Sequence, residues 1–215
     1  MAKRDRKPNR GAAAGEQRGS EKPVVGLRII GGQFRGRKLH YSGELRTRPM
    51  KDRLREAIFN LIGPSIRGAH ALDLFAGTGA LALEALSRGA ARATLIEQHH
   101  PTADIIRQNI VALGVERQAE VIAGNVFIWW RTQMKRAARF GEAPWAVFFS
   151  PPYDFYVNRA DEMLELIGGL IRSAPAESIF VVEADARFNF QTLPDPQAWN
   201  IRPYPPAVVG IFRKE

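Results

Sequence analysis

From Gly68 onward, short apolar blocks alternate with stretches in which apolar residues recur at helical spacing. The blocks at 69–75, 92–97, 119–124, 145–150 and 178–184 predict strands, and the patterns at 79–88, 101–113, 126–139 and 158–173 predict helices between them. Strands that are apolar almost throughout, each followed by a helix, predict a mostly parallel sheet covered on both faces. Two more runs, 198–204 and 207–215, are split by Pro205-Pro206 and predict a closing antiparallel hairpin. The expectation is an α/β fold with a seven-stranded sheet.

Upstream the pattern differs. Residues 24–41 hold two short apolar-alternating runs around Gly31-Gly32 and Gly36, which predicts a small β-hairpin. Residues 50–63 place Leu54, Ile58, Leu61 and Ile62 on one helical face. Residues 1–23 carry no large apolar residue after Met1 and cannot bury enough surface to order themselves, so they are expected to form a disordered basic tail. The predicted organisation is that tail, a hairpin-and-helix extension over 24–66, and a main domain over 67–215.

Composition narrows the chemistry. With 215 residues, 45% of them hydrophobic, the chain suffices for one well-packed domain with tails. It has no cysteine, which excludes disulfides, thiolate metal sites and cysteine nucleophiles. No apolar run approaches 18 residues and no apolar segment follows the basic start, so neither a membrane span nor a secretory leader is expected, and the reading is cytoplasmic. The net charge is +9, but residues 1–55 hold 16 Lys/Arg against 5 Asp/Glu, and residues 56–215 hold 15 against 17. Residues 24–55 alone hold 9 against 2, a surplus of +7 that suits a face meeting a polyanion.

Two loops carry candidate chemistry. Around Asp73, Phe75, Ala76, Gly77, Thr78 and Gly79 an apolar strand runs into a glycine turn that opens a helix, and the glycines let a ligand approach the backbone. Gly77 to Ala82 formally satisfies the loose dinucleotide fingerprint, and Glu97, 20 residues after Gly77, could accept ribose hydroxyls in either cofactor class. With a nicotinamide dehydrogenase left as a lower-ranked alternative, Asp73 tips the choice. Its carboxylate precedes the first glycine, where it would repel a pyrophosphate but could meet a cationic group or fix the loop through N–H bonds. A cofactor with an amino-acid moiety and no phosphates fits better. The second loop is Ser150-Pro151-Pro152-Tyr153, at the end of the fourth strand. Two prolines end the strand and fix the backbone. The loop then offers the Ser150 hydroxyl and a rigid carbonyl as acceptors for an –NH₂ group, with an aromatic face for a planar base. His99-His100 lacks a third ligand at plausible spacing, so no metal is expected.

Together these loops resemble the signature of class I S-adenosylmethionine-dependent amino-methyltransferases. The string Arg28-Ile29-Ile30-Gly31-Gly32-Gln33-Phe34-Arg35-Gly36-Arg37-Lys38-Leu39, followed by residues 48–60, resembles the RsmD family over residues 27 to about 184. The resemblance implies a Rossmann-like fold and transfer of a methyl group from S-adenosylmethionine, leaving S-adenosylhomocysteine, to the N2 amine of a guanine in bacterial 16S rRNA. The substrate would be the rRNA within the 30S subunit or an assembly intermediate, and the protein a monomer. The resemblance places the methionine end of the cofactor at Asp73, Gly77 and Gly79, its ribose at Glu97 with Gln98 alongside, and the adenine near Gly124 and Asn125. Asn125 serves equally as a helix N-cap. Ser150, Pro151, Pro152 and Tyr153 become the catalytic loop, and Arg35, Arg37, Lys38, Arg48, Arg53 and Arg55 the RNA-binding residues. The sequence departs from the family pattern at Met50, where Thr is usual, and at Ser150, where Asp or Asn is usual. The Ser150 departure keeps N6-adenine and N4-cytosine transfer, and a non-catalytic RNA-binding role, as alternatives.

Overall fold

The computed structural model describes residues 26–41, 43, 49–133 and 140–215; the tail 1–23, Arg48 and the far end of the helix expected over 126–139 lie outside the described residues. The predicted strands form as β1 (His70–Asp73), β2 (Arg92–Glu97), β3 (Ala119–Ala123), β4 (Trp145–Phe149), β5 (Ile179–Asp185), β6 (Asn200–Tyr204) and β7 (Ala207–Arg213). They build one sheet in the order β3-β2-β1-β4-β5-β7-β6. The first five are parallel; β7 runs antiparallel to both β5 and β6. The helices are α1 (Asp52–Ile62), α2 (Ala80–Ser87), α3 (His100–Leu113), α4 (Val126–Gln133), α5 (Phe155–Asn158) and α6 (Ala160–Ser173).

The strands alternate between two cores because successive side chains leave the sheet on opposite faces. Ala71, Leu95, Phe148 and Val181 pack with Ile58, Phe59 and Ile62 of α1, with α2, and with Ile106 and Ile110 of α3. Leu72, Ile96, Val147, Phe149 and Val182 pack with Phe127 and Trp129 of α4 and Met163, Leu166, Ile167 and Leu170 of α6. Burial on both faces accounts for the nearly unbroken apolar runs. The helix expected over 158–173 is interrupted at Arg159 (φ −136°, ψ 35°), which separates the single turn of α5 from α6.

Among the described residues the predicted hairpin forms as a short one: the antiparallel bridge Arg28 to Lys38 is flanked by hydrogen bonds from Ile29 N to Arg37 O at 2.9 Å and from Leu39 N to Leu27 O at 2.8 Å. The donors nearer its turn reach α2 instead. The N–H groups of Ile30 and Gly31 both reach the carboxylate of Glu84 at 2.7 Å, and those of Gln33 and Phe34 reach Ser87 O and Oγ at 2.8 and 2.9 Å. The segment is therefore a short hairpin that also lies as a strap on α2. Gly32 is obligatory in it: φ is +75°, and a Cβ would lie 1.9 Å from Ser87 O. The strap continues to α3, where Asn109 exchanges two hydrogen bonds with the backbone of His40, at 2.6 and 3.0 Å.

At the other end, Arg213 donates to Leu61 O and Ile62 O at 2.9 and 3.0 Å, and Lys214 Nζ to Ile171 O and Ala174 O at 2.9 and 2.6 Å. Each cation meets the carbonyls that a helix end leaves unpaired. Among the described residues no helix is long and apolar enough to cross a membrane.

Candidate active site

The first loop leaves β1 at Asp73, a buried carboxylate. One of its oxygens accepts from Ala82 N at 3.3 Å, while Oδ1 has no hydrogen-bond partner among the described residues. Burial, reinforced by the neighbouring charge of Glu97 and opposed by backbone donors, pushes its pKa up to about 7. Gly77 (φ 51°) and Gly79 (φ 74°) turn the chain through the left-handed region, and Gly79 sits against Ile106 and Leu95, which a Cβ would meet at 3.1–3.2 Å. Ala76 and Thr78 are buried and Phe75 half-buried, its ring edge-on to Phe127 and Phe155. Half-buried Glu97, at the end of β2, ties the loop down: Oε2 accepts from Gly77 N and Oε1 from His99 N, both at 2.8 Å. Gln98 beside it is exposed.

This loop fits a cofactor that presents a positive charge. An unpaired buried carboxylate oxygen is a costly feature unless a cationic or donor group completes it. The next strand end contributes Gly124, beside which a Cβ would meet nothing within 4 Å, and Asn125. The Asn125 side chain accepts from Phe127 N and Ile128 N at 2.9 and 3.2 Å, which makes it the N-cap of α4. Among the described residues, no group of three or more His, Cys, Asp or Glu is arranged to hold a metal ion.

The second loop is brought alongside by register. Asp73 pairs with Phe148 across β1 and β4, so Ser150 emerges next to the glycine turn. Both loops leave the carboxyl ends of parallel strands, where α/β sheets bind ligands. Pro151 is buried, Pro152 exposed, and Ser150 and Tyr153 half-buried. Both of these last two donate to one residue that the sequence reading gave no role. Glu183, in β5, accepts from Ser150 Oγ on Oε2 and from Tyr153 OH on Oε1, the latter at 2.7 Å. A lone carboxylate in the otherwise apolar run Ile179–Ala184 was the available signal, since buried charges are paired or hydrogen-bonded.

The basic block divides. Arg35, Arg37, Lys38 and Arg53 are exposed, and Arg37 also donates to Ala112 O at 2.5 Å. Arg55 is the exception and corrects the sequence expectation. It is fully buried, donating to Arg28 O at 2.5 Å and Asp52 Oδ1 at 3.0 Å and lying 3.7 Å from Glu84, itself fully buried. Arg88 completes the cluster at 2.8 Å from Glu84. Arg55 thus fastens α1 and the strap to α2 and has no surface to offer a phosphate.

Comparison with known proteins bears on this arrangement. Residues 27–201 match the family model described as Conserved hypothetical protein 95. The Escherichia coli (strain K12) protein named ribosomal RNA small subunit methyltransferase D is 38% identical over 170 residues, covering 78% of this chain and 79% of that protein. The chain belongs to the RsmD family. The matched stretch of this RsmD-family chain takes in the strap, both loops and Glu183. A solved Escherichia coli chain, yhhF, superposes with a TM-score of 0.70 at 31% identity, covering 88% of this chain and 98% of that one. The Thermus thermophilus 16S rRNA N2 G1207 methyltransferase RsmC, solved with AdoMet and guanosine, shares the fold with a TM-score of 0.64 at 20% identity, over 88% of this chain and 50% of that one. The RsmD-family chain therefore has the class I methyltransferase fold.

Proposed function

We propose that this protein is an S-adenosylmethionine-dependent rRNA methyltransferase that modifies the N2 amine of a guanine in small-subunit 16S rRNA. The observation that carries the reading is the placing of the Asp73–Gly79 turn and the Ser150–Tyr153 loop on adjacent parallel strands of an RsmD-family chain. S-adenosylmethionine, when bound, supplies a methyl group on a cationic sulfur. Asp73, Gly77 and Gly79 would hold its methionine end, Glu97 its ribose, and Gly124 and Asn125 would border its adenine. Because Glu97 already holds two backbone N–H groups, ribose recognition would add to a contact that shapes the loop.

The target amine is unreachable in a stacked helix, so the guanine leaves its stack and enters over Tyr153. Ser150 Oγ and the Pro151 carbonyl accept the two N–H bonds, which fixes the amine and frees its lone pair from conjugation with the ring. Orientation does most of the work, since the nitrogen needs no prior deprotonation. Arg35, Arg37, Lys38 and Arg53 would steer the RNA backbone to this edge.

Labelled methyl transfer to unmethylated 30S subunits and to free 16S rRNA, followed by nucleoside mapping, tests the reading. N2-methylguanosine at one position is the expected product. Label on an adenine or cytosine amine would move the substrate assignment, and no incorporation into either RNA would overturn the activity.

A further inference from the structure

The proton released on methylation needs an acceptor, and the loop that grips the amine is itself gripped by a carboxylate. Phe149 of β4 pairs with Val182 of β5, so the next residue on each strand, Ser150 and Glu183, lies side by side. Glu183 is only 7% exposed. Both of its oxygens accept, one from Ser150 and one from Tyr153, and among the described residues it forms no ion pair. Arg187, four residues along the chain, pairs with Asp154 and Asp185 instead. Among the described residues, the titratable groups shown against Glu183 are the phenol of Tyr153 on the loop and that of Tyr156 on α5, the second driven well above its ordinary range by burial first and then by the charges of Glu183 and Tyr153. From β7 the paired residue is apolar Val209.

We infer that Glu183 is the terminal proton acceptor of the reaction, reached through Ser150, and that it also presets the loop for the amine. The inference rests on the proposed amine methylation. With the Ser150 hydroxyl proton directed at Glu183, the lone pairs of Oγ are left to accept the amine N–H. Once methylated, the amine nitrogen is cationic and acidic. Its N–H bond breaks toward Ser150 Oγ as the Ser150 O–H proton passes to Glu183 Oε2. The products are a neutral methylamine, a regenerated serine hydroxyl and a neutral glutamic acid that returns its proton to solvent before the next turnover. Tyr153, held on the other oxygen, keeps its ring fixed while this occurs. Ser150 is thus the residue that touches substrate, and Glu183 acts through it.

The test uses the full chain, labelled cofactor and unmethylated 30S subunits, with single-turnover rates read at saturating cofactor and RNA across pH. Glu183→Gln keeps the shape and removes the basicity. The expected result is a rate lowered about 100-fold, a scale typical of lost acid–base participation, with cofactor affinity within twofold and the thermal midpoint little changed. The acidic limb of the wild-type rate profile should vanish in this variant. In the Glu183→Gln background, Ser150→Asp should recover at least tenfold, because it puts a carboxylate directly at the amine; in the wild-type background the same change places two carboxylates in contact and should not help. A Glu183→Gln enzyme within threefold of wild type, or one whose loss tracks only cofactor affinity or unfolding, overturns the inference while leaving the methyltransferase reading intact. Failure of the wild-type chain to transfer any label overturns both.

Discussion

Arg53 and Arg55 lie two residues apart on α1, and replacing each by Met separates a surface role from a structural one. Arg55 is fully buried and meets Arg28 O, Asp52 and Glu84. Burial depresses its pKa, with Glu84 and then Asp52 as the opposing influences, so its charge is tolerated only through its partners. Arg55→Met keeps the apolar stem but leaves Glu84, buried just as deeply, with one cation fewer. Breaking a buried pair costs about 3–5 kcal/mol. Arg88 and two backbone N–H groups still serve Glu84, which puts the loss near the lower figure, about 3 kcal/mol. At roughly 2–4 °C per kcal/mol for a chain of this size, the thermal midpoint should fall by about 6–12 °C. Arg53→Met alters an exposed site and should leave the midpoint within about 2 °C, while reducing the slope of log affinity for RNA against log salt by about one. Scanning calorimetry, and a salt titration of RNA binding run in the cold where both variants stay folded, read the two effects separately. If Arg55→Met left the midpoint unmoved and weakened RNA binding as Arg53→Met does, the assignment of Arg55 to the fold would be wrong.

Three other outcomes are expected. Because burial raises the Asp73 pKa from 3.8 to about 7, the cofactor-free protein should lose about 4 kcal/mol of stability as pH rises between those values and stay level above them. His70, lowered to about 4 by burial, contributes a rise over part of the same interval, so the quantity to measure is the urea-unfolding difference between wild type and Asp73→Asn; a difference independent of pH would refute the shift. Asn125→Ala should cost about 1 kcal/mol in the same assay through loss of the α4 cap, and Asn125→Asp, which keeps the acceptor, should not. Charge reversal at Arg35, Arg37 and Lys38 should weaken RNA binding and flatten its salt dependence without changing cofactor affinity measured by calorimetry; a simultaneous loss of cofactor affinity would place these residues elsewhere in the function.

The sheet was legible because its signal is local. A strand buried on both faces must be apolar over most of its length, and β2, buried from Ala93 to Ile96, coincides with its predicted bounds end to end. The glycine turn and the Pro-Pro loop were legible for the same reason, each being a contiguous string with backbone consequences. What escaped depends on partners distant in sequence. Helical spacing places Leu54 and Ile58 on one face of α1 and leaves Arg55 outside it; only the strap, folded back onto α2, buries that second face. The hairpin at 24–41 was legible as local propensity; that Glu84 and Ser87, more than 50 residues away, take the donors nearer its turn was not. Glu183 could be marked as a carboxylate in need of a partner, yet nothing in its own strand indicates that Ser150 and Tyr153 supply it.

The contacts of Arg213 bear on how the chain is made. The carbonyls at the end of α1 are met by a side chain about 150 positions later, and β7 is the strand that covers the open edge of β5. During vectorial synthesis the first helix therefore emerges long before its cap, and the parallel strands wait with one edge bare until β7 follows. Such non-local closure is slow and leaves apolar edges exposed meanwhile. A ribosome-bound chain halted before Ala207 should consequently be open to protease at α1 as well as at the sheet edge, although α1 was translated first.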